Sequence, residues 1–403
     1  MPLRLLALTL CVFCIGTAEL LPGGVLPELA DAFGVSISTA GLLVTVYAAT
    51  MMIGGPLVSG LTRKVPAKTL LIALMAVFVA GSAVAATAPS YGVLVTARII
   101  CALTHGTFVA VSIVVAAGMV PPQRTAAAVS TIVLGYNLAT VLGVPLGTLV
   151  GQQWGWRATF WAVTALSVAG AAVICLLLPA VRAEESGSLR GELRAFRAAG
   201  VLMSIVITVL ATGGMFTLIT YMVPVLKDVS GFSAGAIPVL LVAYGVGSLL
   251  GNMVSGRVPA DRLLPALIAC LAVLTGVCLL FWWVSPHPVA AAVGLFVFAF
   301  VTFVAAPGLQ TYTLTEASDA PTFSVTVSMS AFGLGAVIGS WYGGRVIDSG
   351  LGMRSVAPAA GALVAVAAAV ALAWHLKVRA GSAPAPADAP ASAEPAEPVT
   401  ALR

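Results

Sequence analysis

Glu19, Arg98 and His105 are ionisable side chains that fall deep inside long apolar runs of this sequence. Holding a charge in the middle of a bilayer costs about 2.5–3.5 kcal/mol even on the gentler insertion scale, so groups placed there are functional candidates. A carboxyl at Glu19 could take up and release a proton or hold a substrate. A guanidinium at Arg98 would tune that carboxyl, and an imidazole at His105 could relay a proton or hydrogen-bond. The plainer readings are a structural pair that fixes helix packing and a histidine bonded to a backbone carbonyl.

Such residues need elements that bring them to one depth. A membrane helix takes roughly 20 apolar residues, because the hydrocarbon core is ~30 Å thick and each residue rises ~1.5 Å. That ruler predicts twelve spans, near residues 4–25, 40–61, 69–88, 91–118, 126–150 and 158–178, then 200–223, 234–256, 263–284, 288–314, 324–346 and 356–376. Glu19 then lies ~22 Å along the first span, and Arg98 ~10 Å from the far surface in the fourth, so the two could form a buried ion pair. His105 follows Arg98 on the same helical face, about two turns deeper. Asn137 falls near the midplane of the fifth span. The second half of the chain holds no deep charge.

Composition agrees with lipid as the solvent. The 403 residues are 60% hydrophobic and 8% charged, with a mean hydropathy of +1.09, far too little charge to coat a soluble domain of this size. The net charge of +5 is scattered between apolar runs, which excludes a nucleic-acid surface. All six cysteines fall in apolar runs, and Cys11 and Cys14 read as small apolar side chains rather than as a metal or redox pair. Arg4 before an apolar core mimics a secretory leader, but eleven further spans make this a retained first helix. The three histidines come with no H-E-x-x-H, there is no Gly-Lys dipeptide, and the lone G-x-S-x-G match, GFSAG at 231–235, sits in a short connection between two apolar runs with no strand pattern before it. Neither hydrolysis nor ATP-driven work has an apparatus here, no cofactor is expected, and energy must come from an ion gradient or a partner.

The polar stretch 179–198 divides the chain into six-span units, 1–178 and 199–376, and the Ala/Pro-rich residues 377–403 read as a disordered tail. With the N-terminus inside, fourteen basic residues lie in inner segments and four in outer ones, which predicts both termini in the cytoplasm. The units also resemble each other. At an offset of 197, Leu29, Asp31, Gly34, Ser36, Tyr47 and Gly54 meet Leu226, Asp228, Gly231, Ser233, Tyr244 and Gly251; at 196, Gly143 and Gly147 meet Gly339 and Gly343. Six spans per unit make this a parallel repeat, the arrangement of two bundles that rock about a central cavity. The expected class is therefore an all-α membrane protein that moves a small molecule through the bilayer, with a passive channel or an intramembrane enzyme as rivals. Asn137, Tyr47, Phe108, Tyr136 and Tyr244 are the candidate cavity side chains.

In the fifth span Gly135, Gly143, Gly147 and Gly151 recur at multiples of four around Pro145. Small residues so spaced allow close helix packing, and a hinge or seal between the bundles is the sharper alternative. Phe296, Phe300 and Phe303 form a helical stripe expected to face lipid.

These residues resemble the major facilitator superfamily, within it the twelve-helix drug:proton antiporters and their chloramphenicol-resistance and arabinose-efflux-like branch, over about residues 3–376. The resemblance rests on GTAELLPGGVLPE at 16–28, RIICALTHG at 98–106, LGVPLGT at 142–148 and WGWRATFW at 154–161. It implies the two-bundle facilitator fold, with Glu19, Arg98 and His105 in proton coupling and Gly143, Pro145 and Gly147 in the antiporter motif. It further implies a monomer in the inner (plasma) membrane of a bacterium, exchanging protons for a small, fairly apolar, chloramphenicol-like compound. A sugar or nucleoside metabolite is the alternative cargo. The loop GLTRKVPAK at 60–68 keeps Gly60, Arg63, Lys64 and Lys68 of the family's gating motif but lacks its aspartate, and Pro66 stands where a glycine is usual. In the fifth span the proline sits one place later than in the usual Gly-Pro pair.

Overall fold

A computed structural model describes residues 3–178, 199–255, 262–316 and 321–381. Among these there is no strand. The helices are α1 Leu3–Gly24, α2 Leu26–Phe33, α3 Ile37–Leu61, α4 Ala67–Ala86, α5 Tyr91–Gly118, α6 Thr125–Leu138, α7 Val144–Trp154 and α8 Trp156–Leu177. The second half supplies α9 Ala199–Thr220, α10 Ile237–Ser255, α11 Leu263–Val284, α12 Pro288–Glu316, α13 Pro321–Val346 and α14 Val356–Gly381. Helices α6 and α7 run on through a π turn, Ala139–Gly143, as one span. Eleven spans are long and apolar enough to cross a bilayer, and the 26-residue α13 is the twelfth. The expected α-helical membrane fold is present.

A helix closes its backbone bonds within the segment, which is what hydrocarbon demands. Their outward faces carry bare apolar side chains such as Leu61, Leu176 and Val289, a surface stable in lipid and not in water. Helix ends follow local chemistry. Ser36 caps α3 by accepting from the Thr39 amide, and Ser90 caps α5 by accepting from Val93. The expected tail begins later than residue 377: α14 runs to Gly381, with the Lys377 ammonium 5.9 Å from the Trp374 ring centroid. A lysine one turn past the apolar run extends the helix by laying its stem along it. Residues 382–403 and the stretch 179–198 lie outside the described residues.

The repeat has structural content. Gly34 and Gly231, related by 197, both adopt the left-handed backbone (φ 62° and 71°) that ends one segment before the next helix begins. Gly54 of α3 packs on Leu103 of α5, and its counterpart Gly251 of α10 packs on Phe300 of α12. Gly143 abuts Thr17, and its counterpart Gly339 abuts Gly213, itself 196 residues after Thr17. The halves meet along two seams, α3 against α13 and α7 with its π turn against α10. The core of the second half also takes in Leu26, Ala30, Ala40 and Val144 from the first.

Candidate functional site

The site begins with a proline. Pro22 lies inside α1 and has no N–H, so the carbonyl four residues back, on Ala18, loses its helical partner. Arg98, on the facing side of α5, fills the vacancy: one guanidinium nitrogen donates to the Ala18 carbonyl and the other to the Glu19 carbonyl at 2.9 Å. The Arg98 side chain is 1% exposed, and its Cζ lies 4.0 Å from the centroid of the Tyr47 ring. Backbone dipoles and a π face thus surround the cation. The expected Arg98–Glu19 pair holds for depth but not for partner, because the guanidinium meets the backbone of Glu19 and not its carboxylate.

The carboxylate turns toward a different group. Glu19 Oε2 lies 3.6 Å from His105 Nδ1, the one ion pair among the described residues once the imidazole is protonated. The same Nδ1 is 3.1 Å from the Tyr47 hydroxyl, so a single nitrogen faces two oxygens and its tautomer decides which side donates. Glu19 Oε2 makes no hydrogen bond in this state. Tyr136 lies beside the carboxyl, and its ring centroid is 6.4 Å from that of His105. His105 is one further turn pair along α5 from Arg98, as the helical period requires.

Glu19 is also the only charged side chain on the wall of a cavity between the halves, with about 1170 Å³ of atom-free space including what opens to solvent. Tyr47, Tyr136 and Tyr244 line it. Phe108 and Asn137 do not. Phe108 is fully buried in the core of the first half, and the Asn137 Oδ1 accepts from the Asn252 Nδ2 at 2.9 Å, an amide bridge across the seam. Phe303 corrects the lipid-facing expectation: it lines the cavity and stacks edge-on against Tyr244 at 6.3 Å. Phe296 meets Gly247 of α10 with its carbonyl and ring edge, and the backbone of Phe300 abuts Gly251. Met215, Phe216, Phe332 and Thr302 complete the wall from the second half.

The fifth-span glycines face the first helix. A methyl placed on Gly135, Gly143, Gly147 or Gly151 would run into Thr9, Thr17, Leu21 or Val25 of the α1–α2 segment. This is close packing within one half. The contact across the seam is made by their neighbours Thr140 and Val141, against Gly245. Pro145 lies just beyond the π turn, where its missing N–H loosens the ladder. Gly60, Arg63 and Lys64 are exposed at the α3–α4 turn, and Lys68 is half-buried at the start of α4.

Comparison with known proteins turns this geometry into a family assignment. The model for the Major Facilitator Superfamily matches residues 8–329. The chain belongs to the Major Facilitator Superfamily. The uncharacterized MFS-type transporter YfhI of Bacillus subtilis is 38% identical over 357 residues, 89% of this chain and 90% of that one. The inner membrane transport protein YdhP of Escherichia coli is 37% identical, over 90% and 92% of the two chains. A chloramphenicol resistance protein of Streptomyces lividans is 34% identical over 91% and 94%. The crystal structure of a bacterial homolog of the human lysosomal transporter Spinster, inward-facing and occupied, shares the fold, with a TM-score of 0.72 at 17% identity over 92% of this chain and 96% of that one.

This member of the Major Facilitator Superfamily is thus a multi-pass membrane transporter and not an enzyme. Sequence reasoning missed Phe216, Phe332, Thr302 and Asn252. Met215 and Phe216 sit 196 and 197 residues after Glu19, so the repeat itself carried a signal for that part of the wall.

Proposed function

We propose that this transporter exports a small, fairly apolar, chloramphenicol-like compound in exchange for protons. The observation that carries the reading is Glu19: one buried carboxyl, on a cavity wall that is otherwise mostly apolar and aromatic with three threonines, in contact with an imidazole. Such a wall suits an apolar body with a few polar groups better than it suits a sugar, which needs many hydrogen-bond partners. The relative in Streptomyces lividans named for chloramphenicol resistance supports the same cargo.

In this reading the two six-helix units, 1–178 and 199–376, rock about the cavity of a monomer in a bacterial plasma membrane with both termini in the cytoplasm. Glu19 takes a proton from the outer side, and the neutral carboxyl lets the cargo go; on the return it gives the proton to the cytoplasm. His105 receives or supplies that proton through Nδ1, with the Tyr47 hydroxyl as the other partner of the nitrogen. Arg98 holds the Glu19 backbone in place.

Everted vesicles with an acidic lumen and a pH-reporting dye test the reading. Chloramphenicol should release lumenal protons, arabinose should not, and Glu19→Gln should abolish the release. A response to arabinose alone would replace the cargo and keep the coupling. Equilibration of labelled chloramphenicol without any proton movement would overturn the coupling.

A further inference from the structure

Tyr221 stands where α9 ends, between Thr220 and the single helical turn Met222–Pro224. Thr220, Met222 and Val223 line the cavity, whereas Tyr221 does not. Its ring turns into the seam between α3 of the first half and α13 of the second. It is 0% exposed there, and its hydroxyl donates to the Ser340 carbonyl at 2.9 Å. Three glycines shape the seat. A methyl on Gly343 would come within 2.7 Å of the ring, one on Gly344 within 2.7 Å of the hydroxyl, and one on Gly41 would run into that hydroxyl. Gly343 and Gly344 belong to the same half as Tyr221, and Gly41 belongs to the other. Two hydrogen bonds cross the seam on either side of the ring. Ser38 donates to Asp348 at 2.6 Å, and Thr45 donates to the Ser340 hydroxyl at 3.0 Å.

The geometry points to Tyr221 as the plug of a gate on the membrane face opposite the chain ends. Seated among Gly41, Gly343 and Gly344, it closes the seam between α3 and α13. When the halves part, its bond to Ser340 keeps the ring with α13, and the ring leaves the Gly41 wall. The Ser38–Asp348 and Thr45–Ser340 bonds are the ones that must break. The gate rests on alternating access alone, and on neither the cargo nor the proton coupling of the proposed function. A closed and an open arrangement differing by a few such contacts form a two-state element that single substitutions can bias.

The test is labelling of a cysteine at Val44, a cavity-wall position one turn from Gly41 on α3, in the full chain with its native cysteines changed to serine. A membrane-impermeant maleimide is applied to the face opposite the chain ends. Tyr221→Ala removes the plug and Gly41→Ala evicts it, and each should raise the labelling rate about tenfold through the shifted population. A parental rate in a stable, monodisperse Tyr221→Ala protein would overturn the assignment. If Gly41→Ala does not fold, Tyr221→Ala, which adds no bulk, decides alone. Labelling needs neither cargo nor a proton gradient, so its failure removes the gate and leaves the transport reading as it was.

Discussion

At the scale of the residue, Pro22 and Arg98 act as a pair, one opening a backbone acceptor and the other closing it. A buried carbonyl left without a donor costs about 1–3 kcal/mol. Arg98→Ala should therefore lower the thermal stability of the purified protein markedly. In a Pro22→Ala background the N–H of residue 22 can bond Ala18 again, so the same substitution should cost about 1 kcal/mol less, a coupling that a double-mutant cycle resolves. Additive losses would mean that Arg98 is held by something other than the freed carbonyl. Arg98→Lys should not rescue, because one ammonium is a point charge where a planar fork reaches the carbonyls of both Ala18 and Glu19.

At the scale of the element, the spacing of glycines along the fifth span matters because of what stands opposite. Gly143→Ala and Gly147→Ala push a methyl into Thr17 and Leu21 of α1. Overpacking of this kind costs about 1–3 kcal/mol, so both variants should unfold at lower temperature than the parent. Gly60 is the control. It lies in the exposed last turn of α3 with open space where a methyl would go, and Gly60→Ala should be neutral or stabilising by up to about 1 kcal/mol. Equal effects at Gly60 and Gly143 would show that helix propensity, and not packing on α1, sets the response. The spans themselves were legible in the sequence, because length and hydropathy are local properties. The ends differ from expectation by a few residues where a cap such as Ser36 or a trailing lysine such as Lys377 extends the helix.

At the scale of the whole molecule, the halves are joined by side chains that no single span explains. The Asn137–Asn252 bridge ties α6 to α10, and an interhelical polar bond in a membrane protein is worth about 0.6 kcal/mol on average. Asn252→Ala should shift the balance of open and closed forms by about threefold. Distances between spin labels on α6 and α10 would report this, and an unchanged distribution would make the bridge incidental. The two halves are alike in backbone and unlike in chemistry. Glu19, Arg98 and His105 have Met215 or Phe216, Gly294 or Leu295, and Val301 or Thr302 at the corresponding places. The first half therefore carries the deep ionisable groups, and the second faces them across the cavity with apolar, aromatic and threonine side chains.

The sequence by itself determined that this chain lives in lipid, that it crosses twelve times, that it repeats, and that Glu19, Arg98 and His105 are buried, with Glu19 and Arg98 at similar depth. Each of those follows from composition, run length or register, and none requires knowing which helix faces which. The tertiary structure decided the rest. These spans are apolar all round, so residue type alone could not say that Phe108 points into the core and Phe303 into the cavity, or that Asn137 bonds Asn252. It also could not say that Arg98 meets the backbone of Glu19 while the carboxylate meets His105. Pairing of that kind depends on the rotation of one helix against another, which is fixed by packing across the bundle and leaves no periodic trace in a chain that is 60% hydrophobic.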